Sequence, residues 1–230
     1  MTAPIDDDFT RPARPILAVA FDMDGLLASS EDVYHRVGTE TLRRRGKSFD
    51  DDLRAAMMGL PAPAALRVMI DWHRLDDTVE ELARESEQTF WEMAGDAIRA
   101  MPAVHDRVAQ IDAAGLARGV VTSGTRDYAA RILDMVGVRE GMRFVITADD
   151  VENGKPHPEP YRRAIDAFGV EPAEMVVLED SSNGCRAGLA AGAYTVAVPS
   201  PHTRGHDFAG VAFVADTLAD PRIGEALGLG

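Results

Sequence analysis

In this 230-residue chain, the segment Ile16-Leu17-Ala18-Val19-Ala20-Phe21-Asp22-Met23-Asp24-Gly25 is an apolar run that leads directly into two aspartates and a glycine. An apolar run that ends in turn residues is typical of a buried β-strand, so Asp22 and Asp24 are predicted to lie at the carboxyl end of that strand. In an open α/β sheet, ligands bind at this edge. Two carboxylates separated by one residue can share a divalent cation and leave one oxygen for nucleophilic attack. A solvated acidic strand end is the alternative interpretation.

The chain that follows this strand changes character twice. Residues 31–100 have helical periodicity and few β-branched runs, so we expect an all-helical insertion. From residue 101 onward, strand patterns alternate with amphipathic helices, such as the apolar face of residues 161–168 that ends at Gly169. This alternation predicts an α/β core with a parallel sheet and covering helices. The expected later strands are 118–122, 144–147, 175–180 and 194–198.

These patterns divide the chain into three parts. We expect one domain to be formed by residues 16–30 and 101–230, and the helical insertion to comprise residues 31–100. Residues 1–15 contain the run Asp6-Asp7-Asp8 and three prolines, a composition that predicts a flexible N-terminal tail.

Charge and cysteine content limit the classes of partner. The net charge of −14 argues against binding to nucleic acid or to an anionic membrane, because both need a basic surface. The single cysteine, Cys185, excludes an intramolecular disulfide and fits a reducing compartment. No apolar run approaches the length of a membrane span, and the N-terminus lacks a signal-peptide pattern. We therefore expect a cytoplasmic protein, as a monomer or weak homodimer.

Polar side chains follow the later strands at the same expected edge of the sheet. The turn Thr122-Ser123-Gly124 offers a hydroxyl and backbone N–H groups that suit a phosphate, although an ordinary helix N-cap has the same features. Lys155 lies in a proline-rich turn, where its charge would either offset that of a phosphate or be solvated at the surface. The pair Glu179-Asp180 adds carboxylate oxygens, the ligand type that Mg²⁺ prefers.

In this order, Asp22-Met23-Asp24-Gly25, Thr122, Lys155 and Glu179-Asp180 resemble the four motifs of the haloacid dehalogenase-like hydrolase superfamily. The resemblance extends from about Ile16 to Pro199. It is strongest to the subgroup with a helical cap after the first strand, which includes β-phosphoglucomutase and sugar-phosphate phosphatases. Residues 122–128 and 154–161 look most like the glycerol-phosphate and deoxyglucose-phosphate phosphatases. The resemblance implies a Rossmann-like core, a helical cap at residues 31–100 and magnesium-dependent phosphoryl transfer.

The same resemblance implies a role for each motif residue. Asp22 would be the nucleophile that forms an aspartyl-phosphate, and Asp24 would be the general acid and base. Thr122 and Lys155 would bind the remaining phosphate oxygens. The expected ligands of Mg²⁺ are an Asp22 oxygen, the Asp24 backbone carbonyl, the Asp180 carboxylate and, directly or through water, Glu179.

Further side chains are expected to select the substrate, a small phosphorylated metabolite. The candidate substrate-binding residues are Glu31, His35, Gly59, Ser123, Gly124 and Arg126. The favoured function is hydrolysis of small sugar or polyol monophosphates, and the alternative is a sugar phosphomutase like β-phosphoglucomutase. That alternative is disfavoured because Ala62 stands where the mutase has an arginine for a second phosphate, and a buried dianion needs a paired cation. A non-enzymatic binding module is a third possibility.

Overall fold

The computed structural model describes residues 9–57, 60 and 62–229. The described chain divides into two compact units. The first, called the core unit, contains the residues up to Ala28 and from Ala100 onward. The second, called the helical unit, comprises Ser29–Arg99.

The helical unit contains the helices α1 Glu31–Arg43, α2 Asp51–Met57, α3 Ala62–His73 and α4 Val79–Ala94. They bury the apolar side chains of Leu42, Leu53, Leu66, Met69, Ile70 and Leu82. Helix α4 begins with a capping box, in which the hydroxyl of Thr78 accepts the Glu81 N–H while the Glu81 carboxylate accepts the Thr78 N–H. Such a cap stabilises a helix by about 1 kcal/mol.

An ion-pair network ties the end of α1 to other parts of the helical unit. The guanidinium of Arg45 donates to Asp77 Oδ1 and Glu85 Oε2, each at 2.6 Å. Its Nε also donates to Asp77 Oδ2 at 2.9 Å, so the pairing with Asp77 is bidentate. Arg43, by contrast, pairs with Glu40 one turn earlier and has a side chain that is 69% exposed.

The core unit is built on a parallel sheet with the strand order β3-β2-β1-β4-β5. Its strands are β1 Ala18–Phe21, β2 Ala117–Val121, β3 Val145–Ile146, β4 Met175–Glu179 and β5 Tyr194–Ala197. The register pairs Phe21 with Val120 on one side and with Leu178 on the other, so β1, β2 and β4 end together. The predicted α/β fold with a parallel sheet and a helical insertion is confirmed.

The core unit also contains the helices α5 Val104–Ala113, α6 Arg126–Met135, α7 Glu159–Phe168, α8 Ser182–Ala190 and α9 Pro221–Leu227. The expected apolar face of α7 is buried against β1, β2 and β4. The helix ends at Gly169, whose φ of 73° lies in the left-handed region that favours glycine. In the described part of the chain, no helix combines the length and apolar character needed to cross a bilayer.

Part of the predicted N-terminal tail is packed. The ring of Phe9 meets the ring of Phe213 edge-on at a centroid distance of 5.4 Å. The carbonyl of Thr10 accepts a hydrogen bond from the Tyr194 hydroxyl at 2.6 Å. Residues 9 and 10 therefore contact the core unit, and the flexibility expected of residues 1–15 as a whole stays a prediction. Residues 1–8 lie outside the described residues.

Candidate active site

Asp22 and Asp24 lie where β1 leaves the sheet. The N–H of Asp22 still donates to the Leu178 carbonyl of β4, and the residue is only 8% exposed. Gly25 then adopts a φ of 81° and donates its N–H to the Ala28 carbonyl, which turns the chain back on itself. Since this φ favours glycine, the Asp-x-Asp-Gly pattern has a geometric cause.

Lys155 connects the ends of three strands. Its Nζ atom donates to Asp22 Oδ1 after β1 at 2.6 Å, to Glu179 Oε1 at the end of β4 at 2.6 Å, and to the Val121 carbonyl at the end of β2 at 2.8 Å. The Lys155 side chain is 5% exposed, so the alternative of a solvated surface lysine is excluded. Burial lowers the pKa of Lys155, but the neighbouring carboxylates of Asp22 and Glu179 outweigh burial and raise the pKa above its usual value. The side chain is therefore a cation at neutral pH.

Glu179 is a fully buried carboxylate with four hydrogen-bond donors. Oε1 accepts from Lys155 and from the Tyr161 hydroxyl, the latter at 2.9 Å. Oε2 accepts from the backbone N–H and the hydroxyl of Ser181, at 3.2 and 3.0 Å. A carboxylate offers about four lone-pair positions, so these donors fill the acceptor capacity of Glu179. Glu179 therefore holds Lys155 in place, and its part in binding a metal, directly or through water, stays a prediction.

The start of α8 is shaped around this carboxylate. A methyl group added at Gly184 would lie 1.7 Å from Glu179 Oε1 and 1.9 Å from Cδ. The absence of a side chain at this position is therefore a steric requirement of the site. The N–H of Gly184 donates to the Ser181 hydroxyl at 3.1 Å, which in turn donates to Glu179.

Asp22, Glu179 and Asp180 form a buried acidic cluster in which one carboxylate oxygen of each lies within 4.8 Å of the others. Burial raises the pKa of Asp22 well above its usual value, the charge of Glu179 adds to this rise, and Lys155 opposes it. The cluster thus holds more negative charge than one ammonium can neutralise. An oxygen donor set with excess negative charge fits a hard divalent cation such as Mg²⁺.

Asp180 is fixed by a residue that sequence reasoning missed. The hydroxyl of Thr203, in the loop after β5, donates to Asp180 Oδ2 at 3.1 Å. The same hydroxyl accepts the Ser200 N–H at 2.9 Å. Thr203 and Ser200 are almost fully buried. The sequence pointed to Thr203 only through its position, in a loop that follows the carboxyl end of the fifth predicted strand.

Asp24 is held by two residues from the end of β2 and the start of α6. The Tyr128 hydroxyl donates to Asp24 Oδ1 at 2.6 Å, and the Thr122 hydroxyl lies 3.5 Å from Oδ2. Thr122 also accepts the Gly124 N–H at 3.0 Å. Thr122 therefore accepts a hydrogen bond within its own turn and faces Asp24, while the residue before α6 is Thr125. Phosphate binding by this turn stays a prediction. Tyr128 was not among the predicted site residues.

Arg126, a predicted substrate-binding residue, is engaged within its own unit. Its guanidinium forms an ion pair with the Asp150 carboxylate, and its N–H donates to Asp149 Oδ2 at 2.8 Å. A substrate contact through this guanidinium would require the ion pair to open. The neighbouring Ser123 is exposed, and Gly124 packs against the Tyr128 ring.

The remaining predicted substrate residues belong to the helical unit. Glu31 is the first residue of α1, and the ring of His35 lies 5.6 Å from the ring of Phe49. Gly59 lies outside the described residues. Substrate contacts by these residues stay predictions.

Comparisons with known proteins agree with this geometry. The family described as haloacid dehalogenase-like hydrolase matches residues 19–198. The chain is 34% identical over 185 residues to the validoxylamine A 7'-phosphate phosphatase of Streptomyces hygroscopicus subsp. limoneus, covering 79% of this chain and 85% of that protein. It is 32% identical over 181 residues to hexitol phosphatase A of Escherichia coli K12, covering 79% and 82%. A crystal structure of CbbY from Rhodobacter sphaeroides in complex with phosphate is similar with a TM-score of 0.79 at 26% identity, covering 93% of this chain and 100% of that chain.

Proposed function

Because this chain belongs to the haloacid dehalogenase-like hydrolase family, in the subgroup with a helical unit inserted after the first strand, we propose that it is a magnesium-dependent phosphatase of small sugar or polyol monophosphates. One observation carries the proposal: a buried ammonium, Lys155, lies 2.6 Å from the carboxylate of Asp22, and a second carboxylate follows two residues later. This arrangement can hold a phosphate beside a nucleophile and a proton donor.

In the first half-reaction, a carboxylate oxygen of Asp22 attacks phosphorus and an aspartyl-phosphate forms. The bond between phosphorus and the leaving oxygen breaks, and the protonated carboxyl group of Asp24 gives its proton to that oxygen. Lys155 and Thr122 bind the other phosphate oxygens, where negative charge accumulates.

In the second half-reaction, a water molecule attacks phosphorus. The carboxylate of Asp24 takes a proton from this water, and the bond between Asp22 and phosphorus breaks. Asp22 returns to its carboxylate form, Asp24 is again protonated, and inorganic phosphate leaves. The two half-reactions thus restore both side chains.

Asp22, the backbone carbonyl of Asp24 and Asp180 would hold Mg²⁺, with Thr203 orienting Asp180. When bound, this cation would lower the repulsion between the Asp22 carboxylate and the anionic phosphate. Glu179 would act through Lys155, because its own acceptor positions are filled.

The relatives support a phosphatase more than a phosphomutase. Two proteins above 30% identity are named as phosphatases, one of them a hexitol phosphatase. A mutase must bind a second phosphate, and Ala62, the first residue of α3, offers no charge where β-phosphoglucomutase has an arginine. We therefore propose that water, and not a second sugar hydroxyl, receives the phosphoryl group.

A phosphate-release screen tests this function. Purified protein with Mg²⁺ is incubated with hexose, polyol, glycolate and nucleotide monophosphates, and a hexose or polyol monophosphate is the expected substrate. Incubation with β-glucose 1-phosphate and a catalytic amount of bisphosphate is the second arm. Formation of glucose 6-phosphate without inorganic phosphate would identify the protein as a mutase and not a phosphatase. Absence of a reaction with every ester would contradict the proposed function.

A further inference from the structure

The short hydrogen bond between Tyr128 and Asp24 joins the start of α6 to the end of β1. The hydroxyl oxygen of Tyr128 lies 2.6 Å from Asp24 Oδ1, and the two residues are 104 positions apart in the chain. This length is in the range of O–H···O⁻ bonds, which are about twice as strong as bonds between neutral groups. The phenol therefore constrains the rotation of the carboxyl group proposed as acid and base.

The Tyr128 ring is itself fixed by the backbone of the turn at residues 122–124. A methyl group at Gly124 would lie 2.6 Å from Tyr128 Cδ1, so the ring is packed directly on this glycine. Gly124 donates its N–H to the Thr122 hydroxyl at 3.0 Å and accepts the Ala148 N–H at its carbonyl at 2.9 Å. The position of the phenol oxygen is thus set by packing that exists before any substrate binds.

The bond also distinguishes the two oxygens of Asp24. Oδ1 accepts the phenolic hydrogen at 2.6 Å, whereas the Thr122 hydroxyl is 3.5 Å from Oδ2, a weak contact at best. While the phenol donates to Oδ1, that oxygen is the acceptor of the bond and does not carry the carboxyl proton. The transferable proton is therefore favoured on Oδ2, the oxygen on the side of Thr122.

We propose that Tyr128 is a positioning residue, which directs the proton-bearing oxygen of Asp24 toward the oxygen of the leaving alcohol. The inference rests on the proposed phosphatase function. As the bond between phosphorus and the ester oxygen breaks, that oxygen takes the proton from Asp24 Oδ2 and leaves as a neutral alcohol, while Asp24 becomes a carboxylate held by the phenol. Tyr128 touches no reacting atom and acts through Asp24.

The loss of activity caused by removing the Tyr128 hydroxyl should depend on whether the leaving group needs a proton. An alkoxide from a polyol needs a proton, whereas p-nitrophenolate leaves without one at neutral pH. The ratio kcat/KM covers only the steps up to release of the alcohol, so activation of the water does not enter it. Tyr128→Phe keeps the ring that packs on Gly124 and removes the hydroxyl, and its kcat/KM should fall about tenfold or more for a polyol monophosphate but less than about threefold for p-nitrophenyl phosphate.

Tyr194→Phe is the matched control. It removes a phenol hydroxyl that donates to the Thr10 carbonyl, from the first residue of β5 and thus from the opposite end of the strands. Its kcat/KM should equal that of the wild type for both esters. A double variant adds a second test: if Tyr128 acts through Asp24, removal of the hydroxyl in an Asp24→Asn background should cause no further loss with the polyol ester.

The possible results distinguish a failure of the phosphatase function from a failure of the role proposed for Tyr128. If the wild-type protein is folded but releases phosphate from neither ester, the proposed phosphatase function itself is contradicted. An active wild type whose Tyr128→Phe variant loses equal activity on both esters, or loses none on the polyol ester, would overturn the role of Tyr128. Circular dichroism and thermal unfolding establish that each variant is folded. If Tyr128→Phe does not fold, Tyr128→Met, with a flexible apolar side chain against Gly124, gives the same comparison.

Discussion

The Nζ atom of Lys155 lies 2.6 Å from Oδ1 of Asp22, although 133 positions of the chain separate the two residues. The same ammonium lies 2.6 Å from Oε1 of Glu179, so two buried carboxylates share one cation. Burial raises the pKa of Asp22 while Lys155 opposes that shift, and the Asp22 carboxylate raises the pKa of Lys155, so removal of either partner would shift the pKa of the other.

Asp22→Asn should abolish turnover without unfolding the protein. The substitution keeps the shape of the side chain and removes the attacking oxygen, so kcat should fall by about three orders of magnitude or more. Phosphate release with the best substrate measures the loss, and circular dichroism tests the fold. Asp134→Asn, an exposed aspartate paired with Arg139, is the control and should be fully active. A folded Asp22→Asn protein with more than about a tenth of wild-type activity would contradict the nucleophile assignment.

Thr203→Val should weaken binding of Mg²⁺. Without the hydroxyl, Asp180 loses the donor that orients it, and loss of such a partner typically costs about 10- to 100-fold in metal affinity. The measurements are the Mg²⁺ concentration for half-maximal activity and the Mg²⁺-induced rise in Tm. Thr195→Val removes another buried hydroxyl, which donates to the Ala193 carbonyl, and should leave both values unchanged. An identical Mg²⁺ titration for Thr203→Val and wild type would argue against Thr203 as a group that orients a Mg²⁺ ligand.

Gly184→Ala should damage both stability and activity. The added methyl group would collide with the Glu179 carboxylate, so Glu179 or α8 must move and Lys155 loses its position. We expect a loss of about 1–3 kcal/mol in the free energy of unfolding, as for other overpacked sites. Gly205→Ala, at an exposed position where an added methyl group would have no heavy atom within 4 Å, should change stability by less than about 0.5 kcal/mol. Wild-type activity in Gly184→Ala would show that Glu179 does not need its observed position.

Arg45→Met should destabilise the protein at neutral pH and much less in acid. Hydrogen bonds from Arg45 lower the pKa values of Asp77 and Glu85 in the folded state. A lowered pKa stabilises the fold above the unfolded-state pKa of about 4, and this contribution is lost as pH falls through the folded-state values. We expect a loss of about 1–2 kcal/mol at pH 7 from a partly buried network, measured by denaturant unfolding.

Arg43→Met is the matched control for this network, because Arg43 is exposed and pairs only one turn away with Glu40. Its effect should stay below about 0.5 kcal/mol at every pH. An equal loss for the Arg45 and Arg43 variants, or a loss from Arg45→Met that does not shrink in acid, would contradict the assignment.

The sequence predicted those site residues that are tied to strand ends. Asp22, Thr122 and Glu179-Asp180 each follow an apolar run, and the parallel sheet brings the carboxyl ends of such runs to one edge. Lys155 was found through its motif, although no strand precedes it directly.

The residues that were missed depend on tertiary contacts. Tyr128 and Thr203 reach Asp24 and Asp180 from a helix start and a loop, and no spacing in the chain encodes these distances. The pairing of Arg126 with Asp149 and Asp150, in a separate turn after β3, was likewise not predicted, and its contact with substrate stays a prediction. Pairing of side chains across long stretches of chain is decided by packing, which a single sequence does not display.

The three acceptors around Lys155 also bear on the order of folding. They come from the ends of β1, β2 and β4, so the ammonium can be neutralised only after these strands have paired. Closing such long loops is slow, and the contacts repay the lost chain entropy only once the sheet is complete. During synthesis, a chain that stops short of Met175 therefore has no Glu179 to share the charge of Lys155. The residues proposed for catalysis should therefore come together only late in synthesis, after β4 and the loop that contains Thr203 have left the ribosome.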